Sequence, residues 1–233
     1  LYAYDEKRGD FRLFKSEQGW RSQITVNGVK RYLREHLKKS VVNDFTPAMA
    51  AYEACSRVSG VGVGFFGSLR ILFPTVTFLG ALFKGTDKAK NAIAFMERYL
   101  GKVNPRYEKL SDLTYTVYRH GLTHTQMPKV VDIDGWIVGW MITYNDAEHL
   151  KVKLDADKKH LQIPISPVAL FNDLLRAIDL YIQDFDNPRK RAELLLNFEN
   201  GFVSMARVFD KKSKEVRHSP KALGYIRKLI AGK

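Results

Sequence analysis

The segment YRHGLTHTQMPK, residues 118–129, places Arg119, His120 and His124 within six residues of a chain that holds only six histidines in 233 residues. Histidine titrates near neutrality and suits proton transfer. Arginine stays charged and offers a planar fork that matches phosphate. Together they could cleave RNA without a metal ion: a 2′-OH attacks the adjacent phosphate, histidine moves the proton, and arginine stabilises the growing negative charge. In that scheme Arg119 holds the scissile phosphate, His124 transfers the proton, and His120 orients or polarises the pair.

Spacing alone is weak evidence, because Arg31 and His36 in RYLREH repeat the same interval. Only RHGLTH also puts Asn, Asp or His directly after the arginine. Residues five apart on an ideal helix lie about 140° apart around its axis. Arg119 and His124 therefore need not face one pocket; a bend at Gly121 or a second subunit would complete the site. Two other readings stay open. His120 and His124, four apart, share a helix face as in helix-borne zinc sites, but Gly121 stands where HExxH has its glutamate, and Asp112, Asp132 and Asp134 have no diagnostic spacing. Alternatively, these side chains favour the dipole at a helix C-terminus that Gly121 and Pro128 bring to an end.

The helix carrying the motif should begin at Asn104-Pro105, a cap followed by a first-turn proline, with Leu110, Leu113, Val117 and Leu122 on one side. Before it, TDKAKNAIAFMERYLGK reads as a helix capped by Thr86 and ended by Gly101. Val29, Leu33 and Leu37 recur every four residues between about 21 and 40, beside Lys30, Arg31, Arg34, Lys38 and Lys39, which predicts a basic amphipathic helix. A separate helix should follow, with Thr46 as cap, Pro47 in its first turn and Gly60 as its stop. The apolar run at 61–83 holds four glycines, Arg70 and Pro74, and reads as a buried helix pair broken at the proline rather than a membrane span.

Beyond Pro128 the texture turns to β-branched and aromatic runs separated by DG, ND and DADKK, which predicts three or four strands in a meander. Val152 and Leu154 alternate with Lys151 and Lys153, as a half-exposed strand requires. Asp132 and Asp134 bracket Ile133 beside Gly135, a β-turn pattern rather than a catalytic carboxylate pair. Trp136 and Trp140 share a strand face and serve either as core or as stacking platforms for bases. Ser166-Pro167 and Asn187-Pro188 open two further helices, and 207–233 carries nine Lys or Arg against Asp210 and Glu215, a basic tail helix. The expected fold is mainly α: an N-terminal arm or short strands over 1–20, a helical bundle over 21–127, an inserted antiparallel β-meander over 128–165, and C-terminal helices over 166–233 that pack on the same domain.

The motif and the helical run from about Arg21 to Met127 that carries it resemble the HEPN-domain family, many of whose members are metal-independent ribonucleases. The resemblance does not reach the meander or the C-terminal helices. It implies that Arg119 and His124 match the family's catalytic positions and His120 its polar second position. It further implies a homodimer that shares one cleft, and a cognate antitoxin or defence-system partner. Other members are non-catalytic nucleotide- or nucleic-acid-binding modules or scaffolds, the alternative function.

Composition agrees with a nucleic-acid partner. Lys and Arg number 38 against 25 acids, a net charge of +13, so RNA or DNA is the first partner class and a membrane surface the second. Lys30, Arg31, Arg34, Lys38, Lys39 and Lys129 are the candidate nucleic-acid contacts. A chain that is 45% hydrophobic can bury a substantial core. Cys55 is the only cysteine, which removes disulfide frameworks and suits a reducing, cytoplasmic compartment. No signal peptide is visible and no stable membrane insertion is expected. P-loop, Rossmann, serine-elbow, cysteine-zinc and calcium-loop patterns are missing, and no motif implies a cofactor.

Overall fold

The computed structural model describes the backbone of residues 4–5, 10–11, 14–16, 19–21, 24–59, 65–124 and 127–206, and the side chains of 24–54, 66–122 and 127–205. The fold is mainly helical. Four short strands come first: β1 (Tyr4–Asp5) pairs with β2 (Asp10–Phe11), and β3 (Phe14–Ser16) with β4 (Gly19–Arg21). Six helices follow. Helix α1 runs over 26–59, its middle stretch Tyr32–Lys38 wound in wide π turns. Helix α2 is Phe65–Lys84, α3 spans 89–103 and α4 spans 106–124. After a four-stranded sheet, α5 (Pro167–Asp184) and α6 (Pro188–Ala206) complete the described chain.

Helix α2 lies at the centre. Leu69, Leu72, Phe73, Val76, Leu79 and Leu82 bury its apolar side in one continuous core that reaches from Val29 on α1 to Phe198 on α6. Gly80 lets α3 approach closely, because a β-carbon there would lie 2.4 Å from the Ala92 nitrogen. By length and hydropathy, Phe66–Lys84 could cross a membrane, yet more than half of it is buried inside this fold. Arg98, Tyr99 and Lys190 converge on Asp184, tying α3, α5 and α6 together.

Several helix boundaries differ from the sequence expectation, for physical reasons. The two helices expected over 21–40 and 46–60 are one. Thr25 caps α1 by accepting from the Gly28 amide at 3.0 Å, and Pro47 sits inside the helix on an exposed face, where water can serve the carbonyl left without its amide partner. Helix α2 likewise continues through exposed Pro74. The Arg70 position it would have bonded is also exposed, and the Thr75 and Thr77 hydroxyls donate to the Ile71 and Phe73 carbonyls at 2.9 and 3.0 Å. Thr86 accepts from the Asn91 side chain rather than capping α3, and α3 passes through Gly101 until the extended backbone of Asn104. The expected starts at Asn104, Ser166 and Asn187 are present: their side chains accept from the amides of Arg106, Ala169 and Arg189. The basic tail helix lies outside the described residues.

The sheet is mixed, not an antiparallel meander. Strands β5 (Val131–Ile133), β6 (Trp136–Ile142), β7 (Lys153–Asp155) and β8 (His160–Ile165) stand in the order β5-β6-β8-β7, and β6 pairs with β8 in parallel. The chain over 143–159 acts as a crossover that returns to the starting end of β6, with β7 laid along the far edge. Asp134 and Gly135 both adopt positive φ, 53° and 78°, and form the two-residue β5–β6 turn. Asp132 accepts from the Gly135 amide at 3.0 Å, so the carboxylate pair belongs to the turn. Val138, Ile163 and Ile165 bury one face, and Trp140 meets Phe66 edge-on. Leu154 on the edge strand β7 and Val152 just before it are both exposed, so the expected half-exposed alternation is absent.

Candidate active site

The motif occupies the last turns of α4. Tyr118, one residue before Arg119, is fully buried and docks the helix against the sheet. Its hydroxyl donates to the Ile163 carbonyl at 2.5 Å and accepts from the Met141 amide at 3.2 Å, bridging the parallel pair β6 and β8. Burial pushes its ionisation up, so it serves as a neutral donor. Beneath the motif the chain folds back: the Lys129 amide donates to the Val117 carbonyl at 2.7 Å. Gly121 makes this return possible, since a β-carbon there would lie 2.2 Å from the Met127 carbonyl oxygen. It does not end the helix. Its φ of −62° is helical and α4 continues to His124.

Arg119 and His120 are half-buried and share one neighbour, Tyr115. The Arg119 guanidinium carbon lies 5.8 Å from the Tyr115 ring centre. The His120 ring meets the same ring edge-to-face, also at 5.8 Å. A wide π turn over Tyr115–His120 brings residues five apart into contact, which an ordinary α turn does not. The Tyr115 hydroxyl is 3.0 Å from the Thr77 hydroxyl of α2. His124 lies in the final turn of α4, but its side chain lies outside the described residues. The structure thus joins Arg119 to His120 through a tyrosine. Among the described residues no three His, Cys, Asp or Glu side chains group to hold a metal ion.

The candidate nucleic-acid contacts divide. Lys30 is paired with Asp186, just before α6, and Lys38 with Asp179 on α5 at 2.7 Å. Arg31 pairs with Glu35 at 3.2 Å. These three cations are engaged within the protein, two of them holding α1 to the C-terminal helices. Arg34 and Lys39 are exposed on α1. Lys129 is exposed at the motif's own end of α4, beside Gly121.

A buried polar network escaped the sequence reading. His149, 1% exposed, accepts the Ser166 amide on Nδ1 at 3.0 Å, so Nε2 carries the hydrogen and donates to the Tyr107 hydroxyl at 2.7 Å. Tyr107 in turn donates to Asp173. Arg106 holds the His149 carbonyl at 2.7 Å, and Ser166 donates to Asp146. Burial holds the imidazole down at about 4 and the Asp173 carboxyl up at about 6. With His149 neutral, its 3.9 Å approach to Asp173 is not an ion pair. The network fastens the 143–152 connection to α4 and α5. His149, Tyr107 and Ser166 form its buried centre, while Asp173 and Arg106 are half-buried and Asp146 is exposed, and the network reads as architecture. No local pattern marks it, since its members come from distant parts of the chain. Tyr115, by contrast, stood four and five residues before two motif residues and could have been flagged.

Two grooves open elsewhere: one of about 780 Å³ between α1 and α2, lined by Tyr32, His36, Pro74 and Phe78, and one of about 570 Å³ beside Tyr99 and Asp184. Neither is lined by Arg119 or His120. No family model, curated protein or solved structure matches the chain.

Proposed function

We propose that this protein binds RNA and cleaves it without a metal ion at the end of α4, as a HEPN-like endoribonuclease. The observation that carries the reading is the pairing of Arg119 and His120, half-buried on one tyrosine, at a helix end where Lys129 adds a further cation. A fixed guanidinium suits a phosphate. In the reaction, His124 takes the proton from the 2′-OH as its oxygen attacks phosphorus, and returns it to the departing 5′-oxygen. Arg119 stabilises the charge that collects on the phosphate oxygens, and His120 orients the pair. The products are a 2′,3′-cyclic phosphate and a free 5′-OH. A second copy of the chain completes the cleft in this proposal, bringing its own motif opposite the first.

The test is cleavage of labelled tRNA and a single-stranded RNA in EDTA by wild type, Arg119→Ala and His124→Ala, matched for folding by circular dichroism. Cleavage by wild type alone, with cyclic phosphate ends, supports the proposal. Equal activity in all three removes the motif from the chemistry. Binding without cleavage in wild type favours a non-catalytic RNA-binding module.

A further inference from the structure

We propose that Tyr115 is a positioning residue of this site: its ring holds Arg119 and His120 side by side in the geometry needed to engage a phosphate. The inference rests on the reading of Arg119 as the phosphate ligand.

Tyr115 is 1% exposed, so substrate does not reach its ring directly and any effect passes through its neighbours. Two constraints define its orientation. Its backbone lies in the wide turn of α4. Its hydroxyl meets Thr77 at 3.0 Å. The Thr77 hydroxyl spends its one hydrogen on the Phe73 carbonyl at 3.0 Å, so the Tyr115 hydroxyl is the donor between them. The ring is thereby tied to α2, the central helix of the core.

The wide turn explains why two motif residues meet one ring. In an α-helix, residues four and five ahead of Tyr115 would stand about 40° and 140° away from it around the axis. A π turn closes on the fifth residue instead, so Arg119 and His120 come to flank Tyr115, each 5.8 Å from it. The negative face of the ring attracts the guanidinium. The ring contact helps fix the Arg119 guanidinium for a phosphate, and pre-set geometry of this kind accounts for large factors in rate.

The experiment compares wild type with Tyr115→Leu, which removes the ring, Tyr115→Phe, which keeps the ring and drops the hydroxyl, and Thr77→Val, which removes the anchor. Single-turnover RNA cleavage and RNA affinity are measured separately, and NMR follows the Arg119 Nε–H resonance without RNA. Expected for Tyr115→Leu is a kcat lowered about ten- to a hundredfold, an RNA affinity changed much less, and loss of the ring-induced shift at Arg119. Tyr115→Phe should recover most of the rate, with Thr77→Val close to it. If Tyr115→Leu does not fold, the Phe and Val variants carry the test through smaller losses of rate and a broadened Arg119 resonance. Wild-type cleavage by Tyr115→Leu, or an Arg119 resonance indifferent to the ring, overturns the inference while leaving the nuclease reading intact. A ring-shifted Arg119 in a wild-type protein that neither binds nor cleaves RNA overturns the nuclease reading, and the role given to Tyr115 with it.

Discussion

Replacing Tyr107 by Phe deletes one oxygen from the buried centre of the His149 network and leaves the packing of the ring in place. That oxygen accepts from His149 Nε2 at 2.7 Å and donates to Asp173. Without it, a buried imidazole N–H has no partner, a loss of about 1–3 kcal/mol, and a carboxylate loses a charge-assisted bond of about 1.5–3 kcal/mol. The two overlap, so roughly 2–4 kcal/mol is expected at pH 7.5, where Asp173 is ionised. At pH 5 the folded-state carboxyl, held up at about 6, is already protonated. The imidazole term of about 1–3 kcal/mol then remains, but the bond to Asp173 has lost its charge assistance, so the total loss is smaller than at pH 7.5. Urea unfolding followed by circular dichroism at both pH values measures the difference. A Tyr107→Phe protein within 0.5 kcal/mol of wild type at both, or one hurt more at pH 5, would refute the tautomer assignment and the hydrogen-bond directions built on it.

The same network predicts how wild-type stability responds to pH. Burial lowers His149 from 6.5 to about 4, so its contribution is present above 6.5 and is lost as pH falls toward 4. Asp173 is raised from 3.8 to about 6, so its contribution is present below 3.8 and is lost as pH rises through 6. Between about 4 and 6 the unfolded chain carries its proton on His149 and the folded chain on Asp173, and the two contributions offset each other. Asp173→Asn removes one half, and stability should then fall by up to roughly 3 kcal/mol as pH drops from 6.5 to 4, seen as a falling urea midpoint; no change of slope would contradict the pairing. Gly121→Ala should cost about 1–3 kcal/mol and speed amide exchange at Lys129, because the obstructing atoms belong to the backbone. Lys129→Ala should weaken RNA binding and flatten its salt dependence, whereas Lys38→Ala, which loses the Asp179 pair, should cost at most about 1 kcal/mol of stability and leave RNA binding little changed; the reverse ranking in a filter-binding titration would return α1 to the interface.

What proved legible in the sequence was decided within a few residues. Ser166 before Pro167, Asn104 before Pro105 and Asn187 before Pro188 start helices as expected, because a cap acts on amides two or three positions away. The Asp134-Gly135 turn belongs to the same class, since positive φ is a property of the residues themselves. Pro47 and Pro74 misled because a proline's cost depends on which way it faces. On an exposed side, water can serve the orphaned carbonyl, and only packing settles the side.

For the candidate site, residue type and spacing were enough to single out Arg119, His120 and His124. They could not reveal that a wide turn sets the first two against Tyr115, nor that Thr77, 38 positions away, anchors that ring. The parallel pairing of β6 with β8 and the burial of His149 against Tyr107, 42 positions apart, were equally out of reach. The Asn-Pro and Ser-Pro caps, the Asp-Gly turn and apolar periodicity are short-range matters of sterics and hydrogen bonding, so the sequence by itself determined them, whereas the caps expected at Thr46 and Thr86 did not form. Strand order, the tautomer of a buried histidine and the neighbours of an arginine depend on atoms that meet only after the chain has collapsed, and those the tertiary structure alone decided.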